Sequence, residues 1–252
     1  MKPSYASIIF CPHCGQKVEL MNLCTSNSFS IDYYSDQQIV AENMAHVSPI
    51  LKCPKCQNYY WTYKQPTERS NRYSLQLGTL SFADLTAAAI QLRSEGMDKS
   101  DEITLCEEIV HAFNDTYYNV DKNTMNDEQQ QIFSTDYQIF QEYALRLSYL
   151  IRGNKLFRAE LYRECQRYSV CISILETFQS DDNMEMRLRN AIMDKARRQE
   201  SNVFLFFSRG YCTKERQRYV SPILPYKPIS LYKRLISNIR LSFMEWLLKM
   251  CS

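Results

Sequence analysis

Two short cysteine motifs near the N-terminus constrain the fold of this chain more than any other feature. They are Cys11-Pro12-His13-Cys14 and Cys53-Pro54-Lys55-Cys56. Two residues between the cysteines let one tight turn present both sulfurs to the same ion, and the proline fixes φ near the value that such a turn needs. Four thiolates that arrive as two such pairs are the ligand set of a closed, tetrahedral zinc site. The sequence therefore predicts one zinc ion bound by Cys11, Cys14, Cys53 and Cys56, with a structural role because no ligand position stays open.

The residues around these motifs are rich in strand formers. Strands are predicted over 18–23, 28–34 and 59–63, with a turn at 35–38 and a return strand from Ile39. The two motifs, with their flanking residues, resemble the paired knuckles of the zinc-ribbon family over roughly residues 8–64. That resemblance implies two hairpins joined by the metal ion. The chain departs from the family in a long insert, since the stretch between the motifs is about twice the usual 15 to 20 residues.

The remaining cysteines and the N-terminus bear on the cellular compartment. Ten cysteines are present, and those outside the two motifs follow no pairing pattern. Lys2 is followed by only a short apolar run before Cys11, so no secretory signal is predicted. No apolar window approaches the length of a membrane span, which is about 18 residues. We therefore expect a cytoplasmic protein whose thiols stay reduced.

From Ser81 onward the hydrophobic pattern changes to a period near 3.6, which predicts helices. Ser81 followed by Asp84 is typical of a helix N-cap, and Gly96 is typical of a helix end. Further helices are predicted over 98–118 and 127–152. Because the connections between them are short, we expect neighbouring helices to be antiparallel.

Residues 159–176 carry the most specific pattern of the helical part. One helix is predicted to end near Gln166 and the next to begin near Tyr168, with a further helix over 181–200. Five residues match the aromatic, aromatic, small, apolar and apolar positions of a tetratricopeptide repeat: Tyr162, Tyr168, Cys171, Ile172 and Leu175. Gln166 stands where that family usually has glycine, and Cys171 where it usually has alanine. The resemblance covers one motif of about 34 residues and implies stacked hairpins with a groove that binds proteins or peptides. The alternative is a helical bundle without repeats.

The C-terminal part begins with an apolar run of strand length at 202–207. Three prolines then predict an extended connector: Pro222, Pro225 and Pro228. Residues 229–252 predict an amphipathic helix whose apolar stripe is flanked by lysines and arginines. Such a helix can cover the open end of the helical stack, lie on a membrane surface or fill a partner's groove.

The predicted fold class is mainly α. It combines a small β zinc ribbon with antiparallel helical hairpins that stack as in tetratricopeptide proteins, followed by a C-terminal amphipathic helix. In the predicted domain organisation the ribbon takes residues 1–64, including the insert, and a linker takes 65–80. The helical repeat-like domain takes 81–207, the connector 208–228 and the terminal helix 229–252.

The sequence offers little that points to catalysis. Its five glycines are too dispersed for a phosphate-binding loop, and it contains no hydrolase elbow and no zinc-protease motif. Glu107, His111 and Asp115 lie on one face of a predicted helix and can bind a second metal ion, although a solvated helix face is the simpler interpretation. Neither an enzymatic activity nor a small-molecule substrate is predicted.

We therefore expect a zinc-binding adaptor that binds a protein or peptide partner through its helical groove. One alternative is nucleic-acid binding by the ribbon, with rings that stack on bases and lysines that contact phosphates. The residues concerned are Tyr59, Tyr60, Trp61, Tyr63, Lys52, Lys55 and Lys64. A second alternative is association with a membrane surface through the helix at 229–252.

Overall fold

The computed structural model describes residues 6–20, 31–41, 48–70, 80–118, 120 and 122–209. Its strands are β1 (Ala6–Phe10), β2 (Lys17–Leu20), β3 (Ile31–Tyr34), β4 (Ile39–Ala41), β5 (Ile50–Lys52), β6 (Tyr59–Trp61), β7 (Glu68–Ser70) and β8 (Leu205–Arg209). Its α-helices are α1 (Phe82–Glu95), α2 (Lys99–Tyr117), α3 (Asp127–Leu150), α4 (Lys155–Glu164), α5 (Tyr168–Glu176) and α6 (Asn183–Arg197). The predicted C-terminal helix at 229–252 and nearly all of the predicted connector lie outside the described residues.

The chain divides into two compact units. We call the first the cysteine unit; its strands are β1, β2, β5, β6 and β7. We call the second the helical unit; it holds the six described helices together with β3, β4 and β8. Each unit has its own packed core.

The cysteine unit consists of two antiparallel hairpins and one added strand. Strand β1 pairs with β2, and β5 pairs with β6, so that each cysteine motif occupies the turn of one hairpin. Strand β7 pairs with the free edge of β1 and places residues 68–70 in a sheet, although the sequence analysis assigned them to the linker. The core of this unit is made of Ile9, Cys11, Val18, Leu20, Leu51, Cys53 and Tyr60. Two hairpins that meet at four cysteines are consistent with a zinc ribbon.

The last predicted strand of the ribbon is shorter in the structure than in the prediction. Strand β6 ends at Trp61, and residues Thr62–Lys64 form a single 3-10 turn. The Thr62 hydroxyl donates to the carbonyl oxygens of Ser48 and Pro49 at 3.1 and 3.2 Å, which bends the chain back toward the start of β5. A buried threonine that bonds to the backbone in this way competes with continuation of the strand.

The insert between the cysteine motifs differs from the predicted domain organisation. The sequence analysis placed the whole insert in the ribbon, whereas its described middle part, 31–41, belongs to the helical unit. There β3 pairs with β4 through the predicted turn at 35–38, and also with β8 from the far end of the chain. The apolar run at 202–207 therefore supplies the third strand of a sheet in the order β4-β3-β8.

The first three helices lie close to their predicted positions because their ends are encoded locally. The Ser81 hydroxyl accepts the Asp84 N–H at 3.1 Å, which satisfies one of the donors exposed at the start of α1. Gly96 ends the same helix with φ of +93°, a conformation that favours glycine. Helices α2 and α3 begin at capping boxes whose N-caps are Asp98 and Asn126.

Helices α4, α5 and α6 follow the pattern that resembles a tetratricopeptide repeat. Helix α4 ends at Glu164 and α5 begins at Tyr168, as predicted. Between them Gln166, which stands where that family usually has glycine, has φ of +60°, a left-handed conformation that favours glycine. The three helices share one buried cluster, formed by Leu156, Ala159, Cys171, Leu175, Ile192, Met193 and Ala196. Tyr162, Tyr168 and Ile172 pack against it, so all five matched residues belong to one core.

Arg163 links the segment that leads into β8 to α4. Its side chain is fully buried and forms a two-point ion pair with Glu160, with N···O distances of 2.8 and 2.6 Å. The same guanidinium donates to the carbonyl oxygens of Glu200 and Asn202 and lies 5.4 Å from the centre of the Phe204 ring. One buried cation on α4 therefore holds the segment that leads into β8.

Candidate metal centre

The structure brings the four predicted ligands together. The Sγ atoms of Cys11 and Cys56 lie 3.7 Å apart, and those of Cys14 and Cys53 lie 3.6 Å apart. All four sulfurs lie within 4.8 Å of one another. A tetrahedral site with zinc–sulfur bonds of about 2.3 Å has sulfur–sulfur separations of about 3.8 Å. The spacing therefore suits a single ion held by four thiolates.

The two cysteine turns have the same backbone hydrogen bonds. In the first, the Cys11 carbonyl accepts the Gly15 N–H at 2.8 Å, and the Cys11 N–H donates to the Gln16 carbonyl. In the second, the Cys53 carbonyl accepts the Gln57 N–H at 2.9 Å, and the Cys53 N–H donates to the Asn58 carbonyl. Each turn thus presents its two sulfurs to a common point.

Each turn also contains one residue in the left-handed conformation. Gly15 has φ of +70°, as its position in the motif predicts, and Gln57 occupies the equivalent place with φ of +63°. A residue with a Cβ is uncommon there. The glutamine side chain offsets part of this cost, because its Nε2 donates to the Pro54 carbonyl at 3.0 Å across the same turn.

The thiols of the centre differ in how readily they ionise. Burial raises the pKa of Cys11 to about 12. Burial also opposes ionisation of Cys53, but hydrogen bonds from the backbone N–H groups of Cys56 and Lys55, together with those from the Cys56 and Cys14 side chains, lower its pKa to about 6. The Cys56 N–H lies 3.5 Å from the Cys53 sulfur. A metal ion binds cysteine sulfur as the thiolate, so metal binding is expected to be accompanied by release of protons.

The groups around the sulfurs make a closed site. Tyr60 packs in the same core, and burial, followed by the charges of the four cysteines, raises the pKa of its phenol. His13 is exposed and its Nε2 lies 3.2 Å from the Tyr59 carbonyl oxygen, in hydrogen-bonding range of the backbone. Across the described part of the chain, the four cysteines form the one group of potential metal ligands that lie close enough together. Two further candidate ligands near the motifs, Cys24 and His46, lie outside the described residues.

The second metal site that the sequence allowed is not formed by the described residues. His111 Nε2 lies 3.4 Å from the Asp36 carbonyl oxygen, and Asp115 accepts a hydrogen bond from Gln38 Nε2 at 3.3 Å. These side chains of α2 hold the turn between β3 and β4. Their spacing places them on one face of α2, and this face packs against the strand pair from the insert.

Sequence reasoning missed a cavity in the helical unit. Its walls include six aromatic residues and one carboxyl group: Phe113, Tyr117, Tyr118, Phe133, Tyr137, Phe140 and Glu164. The rings lie at helical spacing on α2 and α3, so the sequence shows an aromatic face on each helix. It does not show that the buried carboxyl at the end of α4 closes the same space.

Comparison with known proteins finds no matching family model, no matching curated protein and no matching solved structure. Among the described helices, none has the length and apolar character that crossing a bilayer requires. The site and the fold are therefore the observations on which a function can be argued.

Proposed function

We propose that this protein is a zinc-binding interaction protein. Its cysteine unit is stabilised by one structural zinc ion, and its helical unit binds a protein or peptide partner. The observation that carries the zinc part is the closed set of four sulfurs, each pair within 4.8 Å. A catalytic zinc site keeps one position for water or substrate and takes histidine or carboxylate ligands, whereas a set of four cysteines fills every position.

A set of four thiolates can bind zinc or iron, and the two kinds of centre differ in their visible absorption. Elemental analysis of the purified chain should give one zinc per chain, with no visible absorption band from iron–thiolate charge transfer. Cys53→Ser should lose the metal. A second zinc that survives this substitution, or stoichiometric iron, would overturn the assignment.

The metal is expected to be required for folding of the cysteine unit. Structural zinc sites contribute about 10 to 16 kcal/mol of apparent binding free energy, which is comparable to the whole stability of a small domain. The described cluster that packs around the ligands is formed by Ile9, Val18, Leu20, Leu51 and Tyr60, and Ile8, Ile50, Tyr59 and Trp61 are also buried. A unit of this size rarely folds by hydrophobic burial alone.

The helical hairpins support the partner-binding part of the proposal. The residues that match a tetratricopeptide repeat belong to one core in α4, α5 and α6, and Gln166, at the position of the family's usual glycine, has φ of +60°. Repeats of this type use their concave faces to bind extended peptides. We therefore propose that the helical unit is a diverged stack of this type.

A peptide selection tests the partner-binding part directly. The zinc-loaded chain would be used to select from a displayed library of random peptides, and the enriched sequences would be synthesised and titrated by fluorescence anisotropy. Saturable binding of a synthetic peptide supports the proposal. Selection without enrichment, combined with salt-dependent binding of labelled oligonucleotides, would instead favour the nucleic-acid alternative.

The burial of the aromatic residues weighs against nucleic-acid binding by the cysteine unit. Tyr59, Tyr60 and Trp61 are 8%, 2% and 5% exposed, so their rings belong to the protein core and offer no face to a base. Tyr63 is 40% exposed, but its ring packs 5.4 Å from that of Trp61. The anisotropy titration with oligonucleotides is expected to show no binding at low salt. The membrane alternative concerns residues 229–252, which lie outside the described residues.

A further inference from the structure

We propose that the aromatic cavity of the helical unit binds a primary alkylammonium group, the end of a lysine side chain in a peptide partner. The cavity is the space between α2, α3, the end of α4 and residues 201–203, and Glu164 is one of the residues that line it. This inference rests on the proposed function, because it names the chemistry of the partner that the helical unit would bind. Three features of the cavity lead to it.

The first feature is a buried carboxylate oxygen without a donor. Glu164 is 2% exposed, and its Oε2 accepts a hydrogen bond from Asn114 Nδ2 at 3.1 Å. Its Oε1 is also buried and has no hydrogen-bond partner among the described residues. A buried acceptor in this state is costly, and a donor that a ligand brings would remove the cost.

The second feature is an excess of negative charge around that oxygen. The same Asn114 amide also donates to Asp36 Oδ2 at 2.9 Å, so two carboxyl groups share one amide. The neighbouring cation, Arg163, is committed to Glu160 and to two backbone carbonyls. Burial, followed by the charges of Glu160 and Asp36, raises the pKa of Glu164 well above its usual value. A cationic donor therefore matches this position better than a neutral one.

The third feature is the aromatic wall. Phe113 stacks on Phe140 with ring centres 4.4 Å apart, and the rings of Phe133 and Tyr137 lie 6.1 and 6.0 Å from that of Phe113. The Tyr137 hydroxyl donates to the backbone carbonyl of Glu164 at 2.7 Å, which holds this ring at the end of α4. Aromatic faces attract cations through their quadrupole, most strongly where water is displaced.

The size of the cavity limits which cations fit into it. Its volume of about 30 Å³ is space for roughly two water molecules. An ammonium group with its first methylene fits this space, whereas a quaternary ammonium group is too large. A quaternary group also has no N–H to give to Glu164 Oε1, and it would leave that acceptor without a donor.

The test uses the zinc-loaded full chain with ¹³C-labelled phenylalanine and tyrosine. Butylammonium chloride, a mimic of the lysine side chain, is titrated while aromatic ¹H–¹³C spectra are recorded at constant ionic strength. We expect saturable shifts of the cavity rings. Tetramethylammonium chloride should give none, because it does not fit and donates no hydrogen bond.

Two variants and one matched control assign the shifts to the cavity. Glu164→Gln should weaken butylammonium binding by about tenfold or more, because the amide cannot ionise to pair with the ammonium group and turns an N–H donor toward it. Phe133→Leu should weaken it severalfold by removing one ring from the wall. Glu176→Gln removes the same charge from an exposed position at the end of α5 and should leave binding unchanged. Dispersed aromatic spectra show that each variant is folded.

The outcomes separate this inference from the proposed function. No saturable shift with butylammonium, or equal binding by native chain and Glu164→Gln, overturns the inference and shows that the space holds only water. If a selected peptide binds and Glu164→Gln binds it equally well, the inference fails while the proposed function stands. If no peptide is selected but butylammonium still binds saturably at the cavity, the partner-binding part of the proposed function fails while the cavity remains a site for an alkylammonium group.

Discussion

Replacing Arg163 with methionine should destabilise the helical unit more than any other single change of a charged side chain that we foresee. The side chains of Arg163 and Glu160 are both fully buried and joined at 2.6 Å. Methionine keeps most of the volume of arginine but leaves the Glu160 carboxylate buried without a cation. It also removes the donors to the Glu200 and Asn202 carbonyls that hold the segment before β8.

The expected cost follows from these contacts. Removing one partner of a buried ion pair costs about 3 to 5 kcal/mol, because the remaining charge stays desolvated. The two freed carbonyls add little, since Glu200 and Asn202 are partly accessible and water can replace the lost donors. We therefore expect Arg163→Met to lower the free energy of unfolding by about 4 kcal/mol. In the double variant Glu160→Leu, Arg163→Met, the uncompensated charge is gone, and the cost should fall below about 2 kcal/mol.

Denaturant unfolding of the zinc-loaded chain, followed by helical circular dichroism, measures these free energies in the helical unit. Arg146→Met is the matched control. Arg146 also forms a two-point ion pair, with Glu102 at 2.7 and 2.9 Å, but its side chain is 46% exposed. Its loss should cost less than about 1 kcal/mol. If the two variants were equally destabilised, or if the double variant were no more stable than Arg163→Met, burial of the ion pair would not be the cause.

Three further perturbations test the metal centre, the buried carboxyl group and a helix end. Elemental analysis should show that Cys53→Ser loses the zinc ion whereas Cys171→Ala keeps it; retention by both would exclude Cys53 as a ligand. The raised pKa of Glu164 favours its protonated form in the folded state, so its stabilising contribution is complete below about pH 4.3 and is lost as the pH rises through the raised value. Denaturant unfolding should therefore show that Glu164→Gln becomes more stable relative to the native chain as the pH rises. A difference in unfolding free energy that stays constant with pH would refute this reasoning. Gly96→Ala should cost about 1 kcal/mol in the same assay because φ is +93°, while Gly153→Ala, with open space and no positive φ, should be neutral or slightly stabilising; equal effects would contradict it.

The metal ligands and the first helices could be predicted because the signals are local. Two residues between cysteines are enough to place both sulfurs on one turn, and the structure brings the two turns together. A side chain such as Ser81 caps a helix by bonding to a backbone N–H only three residues away. Gln166 shows a limit of this local reasoning, since its φ is +60° although the residue is not glycine.

The unit to which the insert belongs could not be predicted, because the sequence of one strand does not show which distant strand it pairs with. The residues of β3 favour a strand, but they do not identify β8 as its neighbour. The zinc-ribbon resemblance then favoured keeping the insert with the cysteines. In the structure the side chains of α2, among them His111 and Asn114, hold the β3–β4 turn.

The sequence by itself determined which residues can bind the metal, where most of the helices begin and end, and which faces of those helices are apolar. These properties depend on contacts within a few residues, so the order of side chains is sufficient. Only the tertiary structure decided that Arg163 would be the buried cation of the helical unit and that Glu164, its neighbour in sequence, would face aromatic rings of α2 and α3. Adjacent residues of a helix point in different directions, so their environments are set by the elements that pack on each side.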